Sequence, residues 1–258
     1  MAAAYPQVVL LGDSLFQGAS DLLDGFSFQA ALQHQCIRRF DVINRGFSGY
    51  NTSQALKALP EIFPAPSSEG PNLAFLLVLF GANDAALYTE VENQHVDLGD
   101  FTANLRHIIT HPHITAHRPR VILVTPPPLD EIHATRLDLE KGMPYAKRQA
   151  KISALYAEAV RKVAGEVDGV VLVDLWKAIM DVAVAKTPGF DASSGSLGDP
   201  SSGTRGYLEK LLPDGLHMNG EAYRIFYDAV APHVGLEESP ADGHVSVFPE
   251  WRVAPWLG

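Results

Sequence analysis

Two short segments near opposite ends of the chain carry the residue types that nucleophilic catalysis needs. Ser14 lies in Gly12-Asp13-Ser14-Leu15, directly after an apolar run, and Asp214 and His217 stand three residues apart. A serine hydroxyl becomes a nucleophile when an imidazole takes its proton and a carboxylate orients that imidazole. One turn can hold Asp214 and His217 in contact, so the three residues could form a triad. Each segment alone also fits an ordinary helix start, with Ser14 or Asp214 as the capping residue.

Two segments between them offer hydrogen-bond donors for a developing oxyanion. The turn at residues 44–52 contains Gly49, and glycine lets a backbone N–H approach a ligand without a Cβ in the way. Asn83, in Gly81-Ala82-Asn83-Asp84, carries a carboxamide that can donate a hydrogen bond. Losing one such donor typically costs roughly 2.7–4 kcal/mol of barrier. The N–H of Ser14 would be a third donor, while a helix-start loop and an Asx turn are the ordinary alternatives.

These four segments need a scaffold that brings them together. Short apolar runs rich in Val, Ile, Leu and Phe lack clean polar alternation, as expected for strands buried on both faces of a parallel sheet. The predicted strands cover residues 7–11, 41–44, 73–80, 120–124 and 169–173. Apolar residues at helical spacing predict helices at residues 26–38, 52–63, 98–110, 145–164 and 220–233.

The repeated strand–helix units predict an α/β fold, a three-layer α/β/α sandwich around a five-stranded parallel sheet. Right-handed crossovers place helices on both faces of such a sheet. Functional residues then collect at the carboxyl ends of the strands. Ser14, Gly49 and Asn83 each follow a predicted strand, and Asp214 and His217 precede the last predicted helix. Four weak signals at one predicted edge favour a common site over four separate turns.

Together the segments resemble the four blocks of the SGNH (GDSL-type) hydrolases, in their usual order. The Ser, Gly, Asn and His of the family name are matched by Ser14, Gly49, Asn83 and His217, and the resemblance spans residues 7 to 234. It implies a flavodoxin-like sandwich, an acyl-enzyme formed on Ser14, and no metal or organic cofactor. It also implies that Asp214 completes the triad and that Ser14, Gly49 and Asn83 form the oxyanion hole. Residues 45–52 and 212–217 are similar to the isoamyl acetate-hydrolysing esterase group of this family.

The expected function is hydrolysis of small carboxylic esters of the acetate type by a serine esterase. An acyltransferase or a carbohydrate deacetylase of the same family is the alternative enzyme, because an alcohol other than water can intercept an acyl-enzyme. A catalytically silent binding module is the alternative from another class. Such a module has no need for Ser14, Asp214 and His217 together, so the intact set favours the enzyme.

The composition narrows the remaining classes of function. A formal net charge of −10 without a basic cluster argues against nucleic acid as a partner. No run of about 18 apolar residues predicts a membrane span. The N-terminus lacks a signal-peptide pattern and the single Cys36 fits a reducing compartment, so we expect a cytoplasmic protein. A metal site at His111, His113 and His117 is disfavoured, because Pro112 breaks helical spacing and no cysteine joins them.

Two segments each allow two interpretations. Residues 187–205, rich in Ser, Gly and Asp, are either a mobile lid or an inert surface loop. Residues 125–143 are either a wall of the substrate site or a solvated loop.

We expect residues 1–235 to form the hydrolase domain. Residues 236–258 carry proline and aromatic side chains that need burial, either on this domain or against a partner subunit in a homodimer.

Overall fold

A five-stranded parallel sheet lies at the centre of the protein. The structure, a computed structural model, describes residues 5–67, 70–90, 93–191, 193, 195–235 and 252. The strands are β1 (Gln7–Gly12), β2 (Asp41–Gly46), β3 (Leu73–Leu79), β4 (Arg120–Val124) and β5 (Val171–Val173). Neighbouring strands run parallel in the order β2-β1-β3-β4-β5. The predicted five-stranded α/β architecture is confirmed.

Helices cover both faces of this sheet. The helices are α1 (Ser14–Gln17), α2 (Phe28–Gln35), α3 (Thr52–Ile62), α4 (Leu98–Ile109), α5 (Pro112–Thr115), α6 (Glu131–Glu140), α7 (Ala150–Glu166), α8 (Leu175–Ala185), α9 (Leu208–Leu211) and α10 (Gly220–Val230). One buried cluster joins the sheet to α1, α2, α8, α9 and α10, and a second joins it to α3, α4, α5 and α7. The fold is therefore the three-layer sandwich that the sequence predicts.

Each central strand is apolar toward both helical layers. In β1, Val8 and Leu10 belong to the cluster with α10, whereas Val9 and Leu11 belong to the cluster with α4, and all four are buried. Successive side chains of a strand point to opposite faces of the sheet. A strand covered on both sides must be apolar throughout, which explains why its sequence shows no polar alternation.

The strand order collects the functional segments at one edge of the sheet. The chain leaves β1 through α2 on one face and leaves β2 through α3 on the other, which opens a crevice at the carboxyl ends of the strands. Ser14 follows β1, Gly49 follows β2 and Asn83 follows β3. These three residues therefore lie at the same edge of the sheet.

Besides the four-residue helices α1, α5 and α9, two longer helices in the described part of the chain were missing from the sequence-based prediction. Helix α6 lies within residues 125–143, and its only buried side chain is His133, so it has no apolar stripe to reveal it. Helix α8 is separated from β5 by the single residue Asp174, so no turn signal divides the two apolar runs. Residues 125–130 are all buried, so the interpretation of this stretch as a solvated loop is wrong.

Several predicted helix ends also need correction. The helix predicted at residues 26–38 is limited to α2, where the Ser27 side chain accepts a hydrogen bond from Ala30 N at the start. The helix predicted at residues 145–164 begins only at Ala150 and continues to Glu166. The last predicted helix divides into α10 and a 3₁₀ turn at Ala231–His233. The corrected start of α7 matters most, because it leaves residues 145–149 in a loop at the candidate site.

In the segment at residues 187–205, three of the described residues pack against the domain. Leu197, Gly198 and Asp199 are buried. A Cβ on Gly198 would lie 2.8 Å from the Cα of Asp130, so the two backbones are in close contact just before α6. These contacts make the described part of the segment a support for α6, a role that neither the lid nor the inert-loop interpretation includes.

The three clustered histidines, His111, His113 and His117, form hydrogen bonds with different partners. His113 Nδ1 donates to Phe63 O at 2.7 Å, and His111 Nδ1 accepts from His113 N at 3.2 Å. His117 Nδ1 lies 3.3 Å from Asn72 Oδ1. Over the described ranges, no three His, Cys, Asp or Glu side chains are grouped as a metal site requires.

Some expectations concern the chain as a whole. None of the helices in the described part of the chain is long and apolar enough to cross a membrane. The tail at residues 236–258 lies outside the described residues except for Arg252, so its burial on the domain or on a partner subunit stays a prediction. The cytoplasmic location also stays a prediction.

We expect Phe226→Ala to lower the free energy of unfolding by about 3–5 kcal/mol. Phe226 is fully buried, and its ring centroid lies 4.5 Å from that of Phe28 and 5.7 Å from that of Phe16. Guanidinium unfolding followed by circular dichroism measures the change. Leu22→Ala is the control, because Leu22 is 75% exposed. A loss for Phe226→Ala as small as the control's, within about 0.5 kcal/mol, would contradict the role of this stack.

Candidate active site

Ser14 is presented by the turn from β1 into α1. Asp13 is the N-cap of α1, and its Oδ1 accepts a hydrogen bond from Leu15 N at 2.9 Å. Ser14 is the first residue of the helix that follows. Because Asp13 caps the helix, the hydroxyl of Ser14 is not needed as the capping group and remains available for chemistry.

Ser14, His217 and Asp214 form a continuous chain of hydrogen bonds. Ser14 Oγ lies 2.9 Å from His217 Nε2, and His217 Nδ1 lies 2.6 Å from Asp214 Oδ2. A carboxylate can only accept, so Nδ1 carries the proton and Nε2 is left to accept from the serine hydroxyl. In this arrangement the imidazole can take the serine proton.

Asp214 is held by the backbone as well as by the imidazole. Its Oδ1 accepts hydrogen bonds from Leu216 N at 2.9 Å and from His217 N at 2.7 Å. Partial burial raises the pKa of Asp214, but the hydrogen bonds from the His217 ring and from these two N–H groups outweigh burial and hold the pKa well below its usual range. The carboxylate is therefore ionised at neutral pH and can stabilise an imidazolium.

The three predicted oxyanion residues each have a donor that the protein leaves unused. The backbone N–H groups of Ser14 and Gly49 donate to no acceptor within the described residues. Asn83 Nδ2 donates one of its two hydrogens to Tyr50 O at 2.9 Å, which leaves the second. Gly49 has a φ of +83°, a left-handed conformation that favours glycine.

Two buried carboxylates, Asp13 and Asp84, lie at the same edge of the sheet. Asp84 Oδ1 accepts from Thr52 N at 2.9 Å and from Thr52 Oγ1 at 2.5 Å, which ties the Asn83 segment to the start of α3. Burial raises the pKa of Asp13 to about 7 and that of Asp84 to about 6, against the hydrogen bonds from Leu15 N and Thr52. The second oxygen of each carboxylate has no partner in the described part of the chain.

Sequence reasoning missed two polar residues that contact the segments of Gly49 and Asn83, the predicted oxyanion donors. Arg148 Nε donates to Ala82 O at 2.8 Å, and Arg148 Nη2 donates to Asn83 Oδ1 at 2.9 Å. Gln94 Oε1 accepts from Arg148 Nη2 at 3.3 Å, and Gln94 Nε2 donates to Gly49 O at 2.9 Å. Arg148 falls in a stretch predicted as helix and Gln94 in a connection, so no sequence signal indicated either contact.

The loop that carries Asp214 and His217 rests on the start of α6. Asp130 N donates to Gly215 O at 2.9 Å, and His133 Nε2 donates to Pro213 O at 2.8 Å. The side chain of Asp130 is fully buried and pairs with Arg205 at 2.7 Å. Arg205 ends the segment at residues 187–205, so that segment supports the loop of Asp214 and His217 through α6.

A cavity of about 250 Å³ opens beside His217. Its apolar lining consists of Leu129, Ala134, Leu137, Met143 and Leu216, and its polar lining of Asp138, Lys141, Lys147, Arg148, Asp214 and His217. Most of the apolar lining comes from residues 129–143. The cavity reaches Asp214 and His217 but not Ser14, so residues 129–143 form a wall on the His217 side of the candidate site. This placement agrees with the interpretation of residues 125–143 as a wall of the substrate site.

The order of the site residues along the chain matches a known family of hydrolases. The family model described as GDSL-like Lipase/Acylhydrolase matches residues 10–225, a range that contains Ser14, Gly49, Asn83, Asp214 and His217. The chain therefore belongs to the GDSL-like lipase/acylhydrolase family, and it is a carboxylic ester hydrolase.

Within this family the chain is similar to the isoamyl acetate-hydrolyzing esterases, which confirms the resemblance seen in the sequence. It is 32% identical to the isoamyl acetate-hydrolyzing esterase 1 homolog of Bos taurus over 254 residues, which cover 96% of this chain and 88% of the relative. It is 30% identical to the isoamyl acetate-hydrolyzing esterase of Saccharomyces cerevisiae over 233 residues, or 87% and 84% of the two chains. The crystal structure of the acetyl xylan esterase AlAXEase shares the fold, with a TM-score of 0.62 at 18% identity and coverage of 88% and 99%.

We expect Asp13→Asn to stabilise the protein, relative to the wild type, increasingly as the pH rises from about 4 to about 7. The folded chain holds the Asp13 proton up to about pH 7, whereas an unperturbed aspartate loses it near 3.8. Between these values the folded state binds more protons than the unfolded state, so stability from this group is lost as the pH rises. Asparagine keeps the acceptor for Leu15 N and removes the buried charge. Melting temperatures across the pH range measure the difference.

Asp168→Asn is the matched control for this experiment. Asp168 is exposed, so its substitution should change the melting temperature by the same small amount at each pH. A difference between wild type and Asp13→Asn that stays constant with pH would contradict a raised pKa at Asp13.

Proposed function

We propose that the protein is a serine esterase that forms an acyl-enzyme on Ser14. The contact that carries this proposal is the 2.9 Å approach of Ser14 Oγ to His217 Nε2, which Asp214 continues on the other side of the ring. This contact joins residues 203 positions apart, and a silent binding module would have no use for it. Membership of a family of ester hydrolases supports the same chemistry.

The proposed reaction uses only groups that the site supplies and one water molecule. His217 Nε2 takes the proton of Ser14 as its Oγ bonds to the ester carbonyl carbon. The carbonyl oxygen becomes an oxyanion, which accepts from Ser14 N, Gly49 N and Asn83 Nδ2. The alcohol then leaves with the proton held by His217, and the acyl group stays on Ser14. Water attacks the acyl-enzyme with His217 as the base, which releases the acid. Neither a metal nor an organic cofactor takes part in these steps.

The cavity beside His217 favours small esters as substrates. Its volume of about 250 Å³ is below the range of roughly 300–1,000 Å³ that is usual for drug-sized ligands. Leu129, Leu137 and Met143 line it with apolar surface that suits a short hydrocarbon chain. Relatives named isoamyl acetate-hydrolyzing esterases support acetates of short alcohols as the substrate class.

We expect Ser14→Ala to lower kcat for p-nitrophenyl acetate by at least about 10³-fold, because the substitution removes the nucleophile. In the native wild-type protein, a fluorophosphonate probe should add its mass to Ser14. Initial rates and mass spectrometry of the labelled peptide measure the two effects.

Ser20→Ala is the matched control, since Ser20 lies just beyond α1 and its hydroxyl donates to Gln17 O at 3.1 Å. This variant should keep both turnover and labelling. Full turnover by Ser14→Ala, or a probe adduct on another residue, would show that Ser14 is not the nucleophile.

The specificity constant kcat/KM should fall as the acyl chain of the substrate lengthens from acetate to decanoate. A cavity of about 250 Å³ can enclose a short chain but leaves most of a long one in water. A series of p-nitrophenyl esters measures the trend, with acetylated xylose added as a competitor. Rates that rise with chain length would sink the small-ester proposal, and strong competition by the acetylated sugar would favour a carbohydrate deacetylase.

A further inference from the structure

Arg148 and Gln94 connect two segments that carry oxyanion donors. Arg148 bonds Ala82 O and Asn83 Oδ1, and it also bonds Gln94, whose Nε2 donates to Gly49 O. We propose that Arg148 and Gln94 are positioning residues, which hold the Asn83 carboxamide and the Gly49 turn in the geometry that receives the oxyanion. This proposal rests on the proposed function, in which Gly49 N and Asn83 Nδ2 stabilise the oxyanion.

Arg148 determines which end of the Asn83 carboxamide faces the site. In the observed orientation, Asn83 Oδ1 accepts from Arg148 Nη2 at 2.9 Å and Asn83 Nδ2 donates to Tyr50 O at 2.9 Å. A flipped amide would set its N–H groups against the guanidinium and its oxygen against the Tyr50 carbonyl. Both contacts would then be repulsive, because a guanidinium has no acceptor and a carbonyl has no donor. This orientation leaves the second Nδ2 hydrogen of Asn83 available to the proposed oxyanion.

Gln94 extends this control to the Gly49 turn. Its Nε2 donates to Gly49 O at 2.9 Å, while its backbone oxygen accepts from Asn51 Nδ2 at 3.0 Å. Asn51 is also the N-cap of α3, so Gln94 is attached to the helix that follows the turn. The side chain therefore joins Arg148 to Gly49 and fixes the distance between the two donor segments.

The hydrogen-bond partners of the Arg148 guanidinium agree with a positioning role. Burial lowers the pKa of Arg148, while Asp13, Asp138 and Asp214 act from a distance to raise it, and none of them forms an ion pair with it among the described residues. Arg148 is half-buried and also lines the cavity beside His217. Its guanidinium donates to the oxygens of Ala82, Asn83 and Gln94, where its charge polarises the Asn83 amide.

Gln94→Glu tests the contact to the Gly49 turn with a side chain of the same size. Glutamate keeps an acceptor for Arg148 and sets an oxygen against Gly49 O. With p-nitrophenyl acetate, kcat should fall by about 10- to 100-fold with KM changed by less than about 3-fold. The inhibition constant of phenylboronic acid, whose adduct with Ser14 places an oxygen among the donors, should rise by the factor by which kcat falls.

Arg148→Lys tests the contact to Asn83 and retains the charge. A single ammonium group cannot replace the fork that reaches both Ala82 O and Asn83 Oδ1. We expect a loss in kcat of similar size, about 10- to 100-fold. In the background of Asn83→Ala the same substitution should cost less than about 3-fold, because the group through which it acts is gone.

Gln35→Glu is the matched control. Gln35 Nε2 also donates to a backbone carbonyl, that of Ala231 at 2.8 Å, and Gln35 Oε1 also accepts a side-chain donor, Tyr227 Oη at 2.9 Å. Because these contacts join α2 to the end of α10, the substitution should lower the melting temperature and leave kcat and phenylboronic acid binding unchanged.

Each failure of these variants has a distinct meaning. An unchanged kcat in a folded Gln94→Glu or Arg148→Lys protein, with only the melting temperature lowered, overturns the positioning role of that residue. Additive losses for Arg148→Lys and Asn83→Ala overturn the link between them. Wild-type kcat in Asn83→Ala overturns both this link and the oxyanion role of Asn83, while fluorophosphonate labelling of Ser14 tests the nucleophile independently. Gln94→Glu decides the proposal if Arg148→Lys does not fold.

Discussion

The contact between Ser14 and His217 is the interaction on which the rest of the structure depends. A proton can pass between these residues only at hydrogen-bond distance, yet one follows the first strand and the other precedes the last long helix. Tyr223 of α10 donates to Leu15 O at 2.7 Å, so this helix is attached to the turn that presents Ser14. The sandwich thereby keeps the turn of Ser14 and the loop of His217 in contact at the edge of the sheet.

Separate supports hold the two halves of the site. On the side of the base, Asp130 and His133 hold the loop before α10, and Arg205 neutralises the buried Asp130. A buried carboxylate that loses its partner is strongly destabilising, so this support is rigid only while the pair is intact. On the side of the oxyanion donors, Arg148 and Gln94 perform the corresponding task. Arg148 also lines the cavity beside His217, so this residue borders both halves of the site.

Two carboxyl groups are buried at the edge of the sheet, where burial costs stability. Asp13 and Asp84 are fully buried with one unpartnered oxygen each, and burial raises the pKa of both carboxyl groups. Their other oxygens cap α1 and anchor Thr52, which are local structural tasks. Carboxyl groups whose pKa is shifted by burial are typical of functional sites.

The sequence by itself determined three features: the parallel sheet, the order of the candidate site segments along the chain, and the family. Apolar runs mark buried strands, and Ser14, Gly49, Asn83 and His217 stand in motifs whose meaning comes from residue type and local spacing. Helices α6 and α8 were not predictable, since one has no apolar stripe and the other follows β5 after a single residue. Only the tertiary structure decided the roles of Arg148, Gln94 and Arg205. Arg148 meets Asn83 across 65 residues and Arg205 meets Asp130 across 75, and no local pattern records a contact that the fold alone brings together.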